Sequence, residues 1–144
     1  MTLVVLSSFA FEPNRVDSIL ERDAIARGDA AYLSVVSAGL MDSGRSPEEA
    51  LRLVLDLADG TRFQHRTGDP DHNEPVTLGE FSFMLMLAHD IPGGVWYRLF
   101  PGPRYSFREL RARRIILEPG LQNQAVDGDR SFRIVTRLGA QGGD

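Results

Sequence analysis

The chain has 144 residues, of which 42% are hydrophobic and 25% are charged, and this balance is typical of a single globular domain with a buried core. The absence of cysteine excludes disulfides, cysteine-ligated zinc and thiol nucleophiles. The net charge of −4 argues against a general nucleic-acid-binding protein, and no apolar run is long enough to predict a transmembrane segment.

The N-terminus begins with a short apolar run, residues 3–10, that ends in Ser8-Phe9-Ala10. This ending fits the small-x-small rule of a signal-peptidase site, although no basic residue precedes the run. We therefore interpret residues 1–10 as a signal-peptide remnant, with a strand or a helix end as the alternative. The interpretation predicts export to the periplasm or cell surface, the alternative being the cytoplasm, and it leaves residues 11–144 as one helical domain.

Three segments of the chain share one helical pattern, and each begins at a glycine followed by an acidic residue. Small, aromatic and apolar residues then follow at offsets of three, four and seven, which share one face of a helix. The acid lies in the first turn, where it faces the positive end of the helix dipole, and in the second segment Thr77, three residues before Glu80, predicts a capping box. Glycine there costs about 1 kcal/mol against alanine, so its recurrence predicts close approach of another backbone or of a ligand. The glycines are Gly28, Gly79 and Gly128, and the aromatic residues are Tyr32, Phe83 and Phe132.

Helix-start signals also precede two of these segments. Ser46 followed by Pro47 predicts one leading helix, and Ser106 with Glu109 three residues later predicts another. For the first segment the leading helix must come from residues 13–22, and a Pro/Gly-rich, aromatic stretch forms a linker before the third unit. The predicted fold is therefore mostly α, with three degenerate helix–loop–helix repeats packed with pseudo-threefold symmetry. The repeats cover about residues 11–45, 46–95 and 104–140.

The arrangement resembles the S-layer homology (SLH) family, whose three tandem units of about fifty residues each open their second helix with a Thr-Arg-Ala-Glu-like motif. The closest match is "VTLGEF" at 76–81, followed by "IARGDA" at 25–30 and "VDGDRS" at 126–131. The resemblance implies a non-catalytic module that binds or organises cell-envelope polysaccharide. It also implies that the basic residue of the motif contacts the ligand. Only Arg27 matches that residue here, because Leu78 and Asp127 occupy the same position in the other two units.

We predict two groups of ligand-binding residues. The motif positions supply Arg27, Asp29 and Glu80. The second group is Trp96, Arg104 and Arg108, because forked arginine donors near aromatic rings are common where proteins contact sugars or other proteins. The alternative function is a helical protein–protein interaction module without a glycan ligand, so the partner is either an envelope polysaccharide or an envelope protein.

The loop before the second glycine also resembles a calcium-binding loop. Asp69, Asp71, Asn73 and Glu80 fall at positions 1, 3, 5 and 12 of an EF-hand-like pattern. Glu74 stands where the pattern has a glycine, so a polar loop before a capped helix is the alternative reading. No other cofactor is predicted, no catalytic motif is recognisable, and His89 is expected to be a partly buried structural histidine.

Overall fold

The computed structural model describes residues 11–58, 71–117 and 119–142. These ranges contain helices and no strand, which confirms the predicted mostly α class. None of the helices found there is long and apolar enough to cross a membrane, and residues 1–10 lie outside the described ranges. The helices are α1 (Pro13–Leu20), α2 (Arg27–Ser37), α3 (Pro47–Leu57), α4 (Leu78–Ala88), α5 (Val95–Leu99), α6 (Pro103–Ala112) and α7 (Gly128–Gly142).

Side-chain caps determine where two of the long helices begin. Ser46 Oγ accepts the Glu49 N–H at 3.2 Å in front of α3. At α4, Thr77 Oγ1 accepts the Glu80 N–H at 3.1 Å, and Glu80 Oε1 accepts the Thr77 N–H at 3.0 Å. These reciprocal bonds satisfy backbone donors that have no partner inside the helix. Both predicted helix starts are therefore confirmed.

The predicted cap of the third leading helix is wrong. Helix α6 begins at Pro103, three residues before Ser106, and Ser106 Oγ donates to the Gly102 carbonyl oxygen at 2.7 Å inside the first turn. Proline suits the first helical position, because its fixed φ is helical and its missing N–H would have no partner there. The linker before α6 is also not entirely irregular, since it contains the single-turn helix α5.

Each repeated glycine packs against the backbone of another unit. Its N–H donates to a carbonyl oxygen of a loop or helix end elsewhere in the chain, and a Cβ atom at any of the three positions would lie within 3.2 Å of neighbouring atoms. The prediction of close backbone approach is therefore confirmed. The hydrogen-bonded pairs are Gly28 with His72 (2.9 Å), Gly79 with Gln122 (2.7 Å) and Gly128 with Arg22 (2.9 Å).

The residues just before α2, α4 and α7 meet at the centre of the fold. Ile25, Val76 and Val126 are fully buried. The Ile25 N–H donates to the Val126 carbonyl at 2.7 Å, and the Val76 N–H donates to the Ile25 carbonyl at 3.0 Å. Helix α2 packs on α3, α4 and α7, while α4 packs on α6 and α1 packs on α7. The second helix of each unit therefore contacts the leading helix of another unit.

The three aromatic residues of the repeated pattern lie on the three corresponding helices but in different environments. Tyr32 and Phe83 are fully buried, whereas Phe132 is half-buried. Phe11 contacts Tyr32 and Phe132 with ring centroids 5.9 and 5.8 Å apart. The Phe83 ring instead meets Tyr97 at 6.3 Å. The rings thus form two groups, and pseudo-threefold symmetry stays a prediction.

Candidate functional site

A cleft of about 420 Å³ opens between the first and second helical units. We call it the inter-unit cleft. Helix α1 and the start of α2 form one side, and the start of α3 with the 71–73 loop forms the other. The N-cap residues of three helices, Glu12, Ala26 and Ser46, all line it. The starts of three helices therefore border one space, and the Arg27 and Gly28 N–H groups at the start of α2 are already bonded to the Glu74 and His72 carbonyls.

The side chains that line the inter-unit cleft alternate between donors and acceptors. Arg22 Nη1 lies 3.5 Å from Asp29 Oδ2, and His72 Nδ1 lies 3.5 Å from Glu48 Oε1 across the opposite wall. Asp29 Oδ2 also accepts the Ala26 N–H at 3.1 Å, so its orientation is fixed by the helix start. The cleft combines cations with carboxylates and does not concentrate one sign of charge.

An aromatic contact holds Arg15 in the cleft wall. Its guanidinium lies 5.0 Å from the centre of the Tyr32 ring, a separation typical of a cation–π contact. Tyr32 is itself fixed, because its hydroxyl donates to the Ser43 carbonyl at 2.7 Å and accepts the Glu12 N–H at 3.0 Å. The Arg15 Nε atom is shielded from solvent and has no hydrogen-bond partner among the described residues.

Of the predicted motif residues, only Asp29 lines the inter-unit cleft. Arg27 instead joins the first two units through ion pairs with Glu74 (Nη1–Oε2, 3.0 Å) and Glu80 (Nη2–Oε2, 3.2 Å). The side chains of Arg27 and Glu80 are only 18% and 15% exposed. Their positions therefore favour a role in holding the units together over direct contact with a ligand.

Sequence reasoning missed most of the cleft residues, since they come from α1 and from a loop about fifty residues further along the chain. Asn14, Ser18 and Arg22 lie on or just after α1, while His72 and Asn73 lie in the loop. Of these residues only Asn73 belongs to a pattern noted in the sequence, the EF-hand-like loop, and the others belong to no recognisable motif. The one available signal is the repeated glycine, because the contact of Gly28 with the His72 carbonyl brings this loop to the helix start.

The second predicted group does come together, on a separate surface formed by α5 and α6. Trp96 stacks on Tyr105 with centroids 6.4 Å apart and an interplanar angle of 17°. The guanidinium carbons of Arg104 and Arg108 lie 5.7 and 6.0 Å from the centre of the same Tyr105 ring. Phe100 also contacts Tyr105, at 6.4 Å. Tyr105 is thus the residue around which this surface is organised.

The proposed calcium ligands are only partly described, because Asp69 lies outside the described residues. Asp71 Oδ1 accepts the Asn73 N–H at 2.9 Å, as in a local turn. Both carboxylate oxygens of Glu80 are engaged, one by Thr77 and the other by Arg27. Within the described ranges no cluster of three acidic or histidine residues could hold a metal ion. The calcium site stays a prediction.

His89 is partly buried, as we expected. It follows α4, and its Nε2 atom lies 2.9 Å from Ser37 Oγ. Ser37 Oγ also lies 3.0 Å from the Ser34 carbonyl oxygen, so the serine proton has two acceptors within reach, and the direction of the Ser37–His89 bond depends on the histidine tautomer. Burial lowers the pKa of His89 below its ordinary value.

Comparison with protein-family models, with curated proteins and with solved structures finds no match for this chain.

Proposed function

We propose that this protein is a non-catalytic, SLH-like module that binds cell-envelope polysaccharide in the inter-unit cleft. The observation that carries the proposal is the mixture of donors and acceptors around the cleft, formed by Arg22 with Asp29 and by His72 with Glu48. A sugar hydroxyl both donates and accepts hydrogen bonds, so a wall with both kinds of group suits a polyol. A wall of one charge would instead suit a simple ion.

The proposal assigns Arg27 an indirect role. The resemblance implies that this arginine contacts the ligand, but its guanidinium pairs with Glu74 and Glu80. We therefore propose Arg15, Arg22 and Asp29 as the residues that contact the ligand. Arg27 would fix the separation of the two cleft walls by joining the first unit to the second. An Arg27 variant should then lose binding and stability together, whereas a cleft variant should lose binding alone.

Co-sedimentation with purified cell-wall polysaccharide tests the proposal. Ser18 is exposed on α1 and lines the cleft, and its exposed neighbour Asp17 does not line it. We expect Ser18→Trp to obstruct the cleft and abolish retention, while the matched control Asp17→Trp keeps both retention and melting temperature. The proposal is wrong if the unmodified protein is not retained, or if Ser18→Trp is retained as well as the control.

The second candidate function is a helical protein–protein interaction module, and the exposed aromatic residues of α5 favour it. Trp96 and Phe100 are 60% and 50% exposed, and such residues dominate many binding interfaces. Failure of the protein to sediment with polysaccharide would favour this candidate. The calcium loop is tested separately by calorimetry at millimolar calcium. If calcium produces no heat of binding and does not change the melting temperature, the calcium site is excluded.

A further inference from the structure

Four large apolar side chains share one exposed face around α5. Val95, Trp96, Leu99 and Phe100 are between 50% and 68% exposed. They lie at offsets of one, four and five, so they form a continuous stripe on a single helical turn and its C-cap. We call this stripe the α5 apolar face. Monomeric proteins expose single apolar residues routinely, but a contiguous group of this kind marks a contact surface.

Packing contacts with the rest of the fold fix the position of the α5 apolar face. Tyr97 points to the other side of the turn, where its ring packs edge-on against the buried Phe83. Trp96 and Phe100 both rest on Tyr105 of α6. The face is therefore supported by the fold, and its exposure does not result from a loosely attached loop.

Exposed arginines lie on the two helices that carry this face. Residues 95–114 contain six arginines and one glutamate, in a chain whose net charge is −4. Arg98, Arg104 and Arg108 are all exposed, and the last two lie over Tyr105 next to Trp96. An apolar stripe with exposed arginines beside it is complementary to a surface that is apolar inside and anionic outside.

We propose that the α5 apolar face docks on an anionic lipid bilayer. Val95, Leu99 and Phe100 would enter the boundary between headgroups and acyl chains, and Trp96 would lie at headgroup depth, where tryptophan is enriched in membrane proteins. The exposed arginines would contact lipid phosphates, which a guanidinium binds through forked hydrogen bonds. This contact is independent of the inter-unit cleft, so the module would touch both an envelope polysaccharide and a membrane surface.

The intact protein offers a direct probe of this docking, because Trp96 is its single tryptophan. Vesicles of phosphatidylglycerol and phosphatidylcholine should shift the Trp96 emission to shorter wavelength and sediment the protein. Vesicles of phosphatidylcholine alone should do neither. Replacing Arg104 and Arg108 with glutamine should weaken binding about fivefold for each arginine, since one basic residue near an anionic surface contributes about that factor.

Two further variants separate docking from general surface effects. Leu99→Asp should reduce vesicle binding at least tenfold, because a charge replaces an apolar side chain at the boundary. The matched control is Leu20→Asp, which alters an exposed leucine of α1 and should bind as the unmodified protein does. Circular dichroism of each variant verifies that the helices are retained. Ser18→Trp should also bind vesicles normally, since it alters only the inter-unit cleft.

Three results would overturn the proposal. The first is no emission shift with either vesicle. The second is equal binding to anionic and neutral vesicles, and the third is equal vesicle binding by Leu99→Asp and Leu20→Asp. An emission shift with a soluble acidic peptide but not with vesicles would assign the face to an acidic protein partner instead.

Discussion

A methyl group at Gly128 should disrupt the contact between the first and third helical units. The Cβ atom of Gly128→Ala would lie 2.7 Å from the Ile19 carbonyl carbon and 2.8 Å from Leu20 Cα, and closer still to the Ile19 carbonyl oxygen. Non-bonded carbon atoms are in contact at about 3.5–4.0 Å. The end of α1 would therefore have to move by about 1 Å relative to α7.

The size of the effect follows from three contributions. Overpacking of this kind costs about 1–3 kcal/mol, and the upper end applies because the obstructing atoms are backbone. The Gly128–Arg22 hydrogen bond of 2.9 Å would be strained, at a cost of about 1 kcal/mol. Alanine favours the helix by about 1 kcal/mol, which offsets that loss. The free energy of unfolding should thus fall by about 3 kcal/mol.

Urea denaturation followed by circular dichroism measures this value, and the other glycines provide the comparison. A Cβ on Gly79 would lie 3.0 Å from the Gln122 carbonyl oxygen and 3.2 Å from Pro103 Cβ, so a small shift suffices and about 1 kcal/mol or less should be lost. At the exposed turn residue Gly44 an added Cβ would meet an Asp42 carboxylate oxygen at 3.5 Å, an ordinary contact distance, so Gly44→Ala serves as the neutral control. If Gly128→Ala is as stable as Gly44→Ala, the steric explanation of the repeated glycines is incorrect.

Three further changes test the links within and between units. Arg27→Leu should lower the free energy of unfolding by about 2 kcal/mol in urea titrations, because it leaves the largely buried Glu80 without its ionic partner; combined with Glu80→Gln, the loss should be less than additive. Thr77→Ala should cost about 1 kcal/mol in the same assay, since the Glu80 N–H loses its acceptor. Burial holds the pKa of His89 below 6.5 in the folded protein, so the unfolded chain binds more protons near that pH. The His89 contribution should therefore be complete above pH 6.5 and decline as the pH falls through the lowered pKa. His89→Gln should remove this part of the pH dependence of the melting temperature.

Local signals in the sequence predicted the helices well. Ser46 and Thr77 each precede a glutamate by three residues, and both cap helices where expected. The same signal failed at Ser106, because Pro103 starts the helix one turn earlier. A serine three residues before a glutamate gives the same sequence pattern inside a helix as at the start of one. Only competing start signals nearby, such as proline, distinguish the two cases.

The two candidate surfaces differ in how far the sequence could predict them. Trp96, Arg104 and Arg108 lie within thirteen residues of one another, so their association around α5 and α6 was visible from composition. The inter-unit cleft depends on contacts between α1 and the 71–73 loop, and no periodicity specifies which loop meets which helix. For the same reason, the sequence does not reveal that Arg27 pairs with Glu80, which lies 53 residues further along the chain. Without that partner, Arg27 is predicted to contact a ligand.

The contacts of the three glycines run from the first unit to the second, from the second to the third, and from the third back to the first. These contacts link the three units in a closed ring. The three contacts between units, which we call junctions, are not equivalent. In the third unit Asp127 Oδ2 accepts the Arg130 N–H at 3.0 Å, while Asp129 pairs with Arg133 on the exposed side of α7. Asp29, in contrast, both caps α2 and faces Arg22 in the inter-unit cleft.

The acids that follow the three glycines differ in what they contact. At the first junction, the acid that follows the glycine lines the inter-unit cleft beside a cation, because Asp29 lies 3.5 Å from Arg22. At the second junction Glu80 is occupied by Arg27, and at the third Asp129 lies on the exposed side of α7. The proposed polysaccharide binding should therefore depend on the first junction, whereas the Arg27–Glu80 ion pair at the second should contribute to the stability of the closed arrangement.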